Sequence, residues 1–270
     1  MDIAWQILTA GASFLLLFLM FRPLEIAFAA KANQGFCRPF WRMDLCYLLG
    51  EYMLFNGAVF WMLSQLSPWI YAATPSKLRN WVGSLDQWAQ ILLVILAGDF
   101  LIYWGHRLQH RFDFLWRFHC IHHSAEHLDW LAAHREHPVD SLYTILLVNL
   151  PVFALGVPIK PLAYFAAFRG LWAIFIHSNV RLPIGPLRML IGAPELHHWH
   201  HDRNRSAGNY ANVSPLMDIL FGTYVCPDHE PLAVGVSESI PKTYFAQLIY
   251  PFRRRNVTEK ESPSSTSIAS

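Results

Sequence analysis

Three short stretches of this 270-residue chain carry most of its chemistry. HRLQH places His106 and His110 four residues apart, and FHCIHH places His119, His122 and His123 at spacings of three and four. ELHHWHH repeats the second pattern with His197, His200 and His201, and adds His198. On a helix, residues three and four apart share a face. Each stretch therefore aims two or three imidazoles at one spot. Neutral imidazole is the commonest metal ligand among side chains. Eight converging rings exceed what one ion needs if it must also meet a substrate, so the pattern points to a two-metal centre. The ligand type suits iron, zinc, copper or nickel and does not choose among them.

Competing metal chemistries fit less well. Carboxylate-bridged centres use two Glu-x-x-His pairs; Glu195 with His198 forms one, and no second occurs in a matching setting. The four cysteines (Cys37, Cys46, Cys120, Cys226) form no CxxC pair, which argues against thiolate zinc and against a disulfide scaffold. HExxH is absent, and with it the common metalloprotease signature.

The elements that must position these rings are apolar. Hydrophobic residues make up 54% of the chain and charged residues 15%, against about 25% charged in soluble domains; mean hydropathy is +0.25. Segments near 3–20, 45–63 and 88–104 approach the roughly 20 residues that cross a bilayer. Two thinner ones, 143–157 and 161–176, flank the break GVPIKP at 156–161 and read as two spans or one re-entrant hairpin. The fold class expected is all-α: a polytopic membrane protein with four to five transmembrane or re-entrant helices and a cytoplasmic helical metal-binding region. The first segment has no basic stretch before it and no small-residue cleavage site after it, so it reads as a retained anchor.

Lys and Arg follow the first, third and fifth segments in excess, for example Arg22, Lys31, Arg38 and Arg42 after the first. The positive-inside bias then places the N-terminus outside and the C-terminus and all histidine-rich stretches in the cytoplasm. The expected organisation is N-terminal membrane helices over 1–87, a histidine-rich catalytic part over 88–225, a C-terminal segment over 226–256 and a disordered Ser-rich tail over 257–270. Net charge is only +2, which gives no reason to expect nucleic acid as a partner.

In this order and spacing, HRLQH, FHCIHHS and ELHHWHH resemble the fatty acid hydroxylase/sterol desaturase superfamily of membrane di-iron oxygenases. REHP (135–138), FIHSN (175–179) and NYANVSPLMDILFGTY (209–224) are similar to further stretches of that superfamily, and the likeness covers roughly 88–225. The resemblance implies a helical dome over a few membrane helices, with two iron ions between them. It assigns metal ligation to His106, His110, His119, His122, His123, His197, His200 and His201, with His177 as a ninth ligand. His137 is a second-rank ligand or a partner to one. Departures from the pattern are His198, where Arg is common, and Met217, where Trp is usual.

Asp99 lies inside an apolar helix, where an acid is costly and usually functional or paired. It is expected to support a histidine or to pair with Arg169. Asn209 and Asp218 are expected to orient ligand rings, and His127, His134 and His229 to be surface or ordinary polar histidines. The resemblance implies insertion of oxygen into a lipid C–H bond, or desaturation, on a sterol, fatty acyl chain or related lipid. The chain has no GxGxxG turn for NAD or FAD and no haem or iron–sulfur cysteine pattern, so electrons must come from an external donor of the ferredoxin, cytochrome b5 or reductase type. A zinc-dependent membrane hydrolase using Glu195 or Glu136 as base is the alternative, and a metal transporter is a weaker one.

Overall fold

The computed structural model describes residues 3–157 and 159–253; the Ser-rich stretch 257–270 lies outside them. The described residues are helical, with two isolated β-bridges and no strands. Helix α1 runs Ile3–Ala27. Helix α2 (Trp41–Gly50) passes through a π-helical turn, Glu51–Phe55, directly into α3 (Asn56–Ala73). A short α4 (Ser76–Ser84) leads to α5 (Gln87–Arg111), which Asp86 caps by accepting from the Ala89 amide at 2.9 Å. After a break at Phe112, α6 covers Asp113–His123. Helices α7 (Pro138–Ala154) and α8 (Ile159–His177) follow, then short α9 (Pro194–His200), α10 (Leu216–Leu220) and α11 (Tyr244–Ile249).

Among the described residues three stretches are long and apolar enough to cross a membrane: Ile3–Ala27, the continuous Trp41–Ala73 and Gln87–Arg111. The second is much longer than the segment expected near 45–63. The π turn absorbs one residue without ending the helix, and the helix also continues through Pro68. Helix α7 begins at Pro138, five residues before the apolar run that announces it, since proline is at home in a helix's first turn. Its 17 residues rise only about 26 Å at 1.5 Å per residue, short of a hydrocarbon core of about 30 Å. The predicted break in GVPIKP is real: Gly156 sits at φ 75° between α7 and α8.

The outward faces of α1, α3 and α5 are greasy, with Leu8, Leu19, Trp61, Trp69, Trp88 and Leu92 all more than half exposed, as lipid-facing helices should be. Inside, α5 packs against α6, α7 and α8. One core joins Val82, Val94, Ile102, Val148, Val152 and Phe165. A second joins Leu17 and Phe21 of α1 to Leu48, Trp130 and Ile174, so the loop after α6 is pinned beneath α1. Glu25 of α1 accepts from the amides of Trp130 (2.9 Å) and Asn179 (3.2 Å). Buried Arg38 bridges Asp129 and Asp44, and Arg135 also bonds Asp44. Each of these buried charges meets an opposite one, which burial demands. Together they fix the segment that brings α6 back toward α7.

Candidate metal centre

Among the described residues nine histidines, all but His106 buried, collect into two groups, the ligand atoms within each lying within 4.8 Å of one another. One group contains His106, His110, His119, His123 and His200; the other contains His122, His177, His197 and His201. The three-four spacing explains how. In α6, His119 and His123 turn to the first group while His122 turns to the second. In ELHHWHH the division reverses: His200 joins the first group, and His197 and His201 the second. Each HxxHH triplet thus serves both groups, and the two groups are held at neighbouring positions by shared helices. Helix α5 supplies the remaining pair, His106 and His110, and the end of α8 supplies His177.

The outer nitrogens are held by oxygen acceptors. Nδ1–H of His106 donates to the Tyr210 carbonyl (2.9 Å), that of His200 to Gly208 (2.7 Å), and that of His110 to Arg205. His122 donates to the Arg135 carbonyl (3.2 Å) and His177 to the Ala173 carbonyl (2.6 Å). His119 Nδ1 meets Asp140 at 2.8 Å, and Gln109 donates to the other oxygen of that carboxylate at 2.6 Å. A carbonyl can only accept, so these Nδ1 atoms carry the proton and leave Nε2 as a bare lone pair.

Those lone pairs face each other. His122 and His177 approach at 2.9 Å between Nε2 atoms, and His106 and His119 at 3.0 Å. His197 Nε2 lies 2.9 Å from that of His177 and 3.1 Å from that of His201, which is 3.2 Å from His177. The bare lone pairs of His122 and His177, and those of His106 and His119, repel at such distances unless a proton or a cation lies between them. Protons are disfavoured, because burial drives the pKa of His119, His122, His123, His197, His200 and His201 well below the ordinary value. Metal–imidazole bonds of about 2.0–2.1 Å put nitrogens that share one ion roughly 3 Å apart, close to the spacing seen. The donor set fits a divalent metal ion in each group. His110 Nε2, sealed from solvent and without a partner among the described residues, also points to an ion.

The other candidates from the sequence lie around these groups rather than in them. His137 caps α7, accepting from the Val139 amide at 3.1 Å and donating to the Leu248 carbonyl at 3.0 Å; both its nitrogens are occupied. His198 meets the Glu230 carboxylate (2.6 Å) and the Ser178 carbonyl (3.0 Å). Both partners are acceptors, so the ring bonds both only with an N–H on each nitrogen, the two-donor role that Arg would fill at this position.

Asp99 neither touches a histidine nor pairs with Arg169. Its two oxygens accept from the amides of Val213 (2.9 Å) and Ser214 (2.8 Å). Asp218 accepts from the amides of Tyr210 (2.8 Å) and Ala211 (2.9 Å) and from Thr223 Oγ1 (2.7 Å). Asn209, at φ 54°, donates to the Leu196 and Val225 carbonyls. All three act on the loop that presents the Tyr210 and Gly208 carbonyls, not on a ring directly. Gly208 is required there: its φ is 87° and an added Cβ would lie 2.3 Å from the Thr223 carbonyl oxygen.

Of the three histidines expected to be surface or ordinary polar ones, His229 is exposed and His127 half-buried. His134 is buried and bonds Glu51 of the π turn at 2.7 Å, because the segment after α6 folds under α2. Sequence reasoning missed Asp140 and the backbone carbonyls. Asp140 left one usable signal, an acid in the first turn of an apolar helix; carbonyls have no sequence signature.

A cavity of about 830 Å³ leads away from the histidines between α3, α5, α7 and α8. His106, His119, His122, His177 and His197 form its floor, and Val59, Met62, Leu142, Ile145 and Ile174 are among its apolar walls.

Residues 91–223 match the fatty acid hydroxylase family. The chain belongs to the fatty acid hydroxylase/sterol desaturase superfamily. An ornithine lipid hydroxylase of Rhizobium tropici is 33% identical over 180 residues, 64% of this chain and 54% of that protein. The alkylglycerol monooxygenase of Homo sapiens is 34% identical over 147 residues, 54% of this chain and 32% of that one. A Delta(7)-sterol 5(6)-desaturase of Gibberella zeae is 32% identical over 142 residues, 52% of this chain and 38% of that one. The chain thus spans about half the length of the ornithine lipid hydroxylase and less of the other two. No solved structure matches it. The fatty acid hydroxylase match takes in every one of the nine clustered histidines.

Proposed function

We propose that this protein is a membrane-bound, dioxygen-dependent lipid hydroxylase whose nine clustered histidines hold two iron ions. The observation that carries the proposal is the placement of two buried imidazole groups on the floor of a largely apolar cavity between apolar helices. Superfamily relatives named as lipid hydroxylase, monooxygenase and desaturase support the same reaction class. Desaturation differs only in removing a second hydrogen. The positive-inside bias favours a cytoplasmic metal centre, with α7 and α8 forming the re-entrant or fourth and fifth membrane helices over a catalytic part at 88–225. The donor set is also one that accepts zinc.

A bound iron pair would supply dioxygen activation and the oxidising equivalents. The chain supplies the rest. Its apolar walls take an alkyl chain laterally, without passage through water. Burial around His200 and His201 (1% and 0% exposed) excludes bulk water from the reacting carbon. Asp140 holds the Nδ1 proton of His119 and so keeps Nε2 turned to the metal. Reducing equivalents come from a separate ferredoxin-, cytochrome b5- or reductase-type protein.

The test is metal analysis of anaerobically purified protein, followed by oxygen uptake with lipid extracts and a chemical reductant. About two irons per chain and lipid-dependent uptake are expected. Lipid turnover that continues without oxygen or reductant would support the zinc hydrolase instead, with Glu136 in the cavity wall as its candidate base.

A further inference from the structure

The cavity contains a cation that no described residue satisfies. Arg169 lies in the middle of apolar helix α8 and lines the cavity. Among the described residues no carboxylate oxygen comes within 4.0 Å of its guanidinium and no hydrogen bond engages it. The acidic groups close enough to act on its charge are Glu136 and Asp99. Both are engaged elsewhere: Asp99 by the amides of Val213 and Ser214, and Glu136 by the Ser141 hydroxyl at 2.8 Å. The contrast with buried Arg38 and Arg135 is sharp, because each of them meets a carboxylate. A lone guanidinium in an apolar helix is costly and calls for a partner. The open cavity on its exposed side is where that partner fits.

We infer that Arg169 anchors an anionic oxygen of the substrate, so that the cavity selects lipids bearing a carboxylate or phosphate over neutral ones. Guanidinium is suited to this by its fixed fork of donors. Arg169 stands eight residues before His177 in α8, about 12 Å along the helix axis at 1.5 Å per residue. An anion held there stops short of the imidazoles, which leaves a carbon of the lipid, not its charged group, beside the metal centre. This inference rests on the cavity being the lipid site of the proposed hydroxylase.

The test uses the full chain in detergent, with lipid affinity read by thermal shift and, separately, lipid-dependent oxygen uptake. The probes are oleate and dioleoyl phosphatidate, each set against its neutral counterpart, oleyl alcohol or dioleoylglycerol. At least one anionic member is expected to bind tenfold or more tightly than its counterpart, and which one does so separates carboxylate from phosphate. Arg169→Gln should abolish the preference while leaving metal content unchanged, Arg169→Lys should retain it, and Arg203→Gln, at an exposed surface cation, should not alter it. Equal binding of charged and neutral lipids by the wild-type protein, which needs no variant to fold, would overturn the inference. So would a preference that survives Arg169→Gln or is lost equally in Arg203→Gln. Oxygen uptake restricted to neutral lipids would overturn the anchor and leave the hydroxylase standing. Anionic preference with no uptake would do the reverse.

Discussion

The two histidine groups are built from the same sequence motif and are not equivalent. The first has five members, and four of them (His106, His110, His119, His200) have Nδ1 held by a carbonyl or by Asp140. The second has four members, and only His122 and His177 have Nδ1 held that way. Nδ1 of His197 and of His201 is buried without a partner among the described residues. Fixing the far nitrogen sets both tautomer and ring orientation and strengthens ligation. The first group should therefore grip its ion more firmly, and the second, with fewer and looser donors, should exchange its ion and admit an outside ligand more readily.

The largest effects should come from removing a ring. His200→Ala should strip the first group and His177→Ala the second, each lowering bound metal by about one ion per chain. Oxygen uptake should fall by more than the roughly 100-fold that loss of an outer partner causes. Elemental analysis of the two variants checks the division; loss of both ions in His177→Ala would show that the groups do not load separately. Asp140→Asn should weaken the first group by about 10–100-fold in metal affinity and leave the second unchanged, as read by competition with a chelator.

Acidification should separate the groups by a smaller margin. Burial lowers the folded pKa of His119, His122, His123, His197, His200 and His201, so their stabilising contribution is present above the unfolded value of about 6.5. It is lost as pH falls below that value, because the unfolded chain then binds more protons. Metal release and falling thermal stability are expected between about pH 6.5 and 5, with the four-histidine group emptying first. Metal retained in both groups at pH 5 would contradict this.

The smallest effect concerns His198. His198→Arg should keep metal content and activity, while His198→Ala should cost about 2 kcal/mol of stability through loss of two bonds without removing metal. Melting temperature and metal content together check it. His229→Ala should change neither.

Legibility in the sequence followed physical scale. Imidazole spacing is local, so eight of the nine clustered histidines could be read from it, His177 coming only from the family resemblance, and apolar runs marked every long helix. What could not be read was set by contacts distant in sequence. The burial of His134 could not be read because its partner Glu51 lies 83 residues away. Asp99 could not be matched to Val213 and Ser214, whose amides say nothing in a string of letters. The length of Trp41–Ala73 was missed because the helix continues past the apolar run near 45–63 and through Pro68, a residue that in a string of letters reads as a stop. His198 was ambiguous by spacing alone, and only Glu230, 32 residues on, decides it.

Two unequal metal sites beside this cavity should load separately. Titrating metal-free protein with Fe(II) under anaerobic conditions, while following bound iron, tests it most directly. Two binding steps are expected, the tighter abolished by His200→Ala and the weaker by His177→Ala. A single step of one ion per chain, lost equally in both variants, would contradict the account.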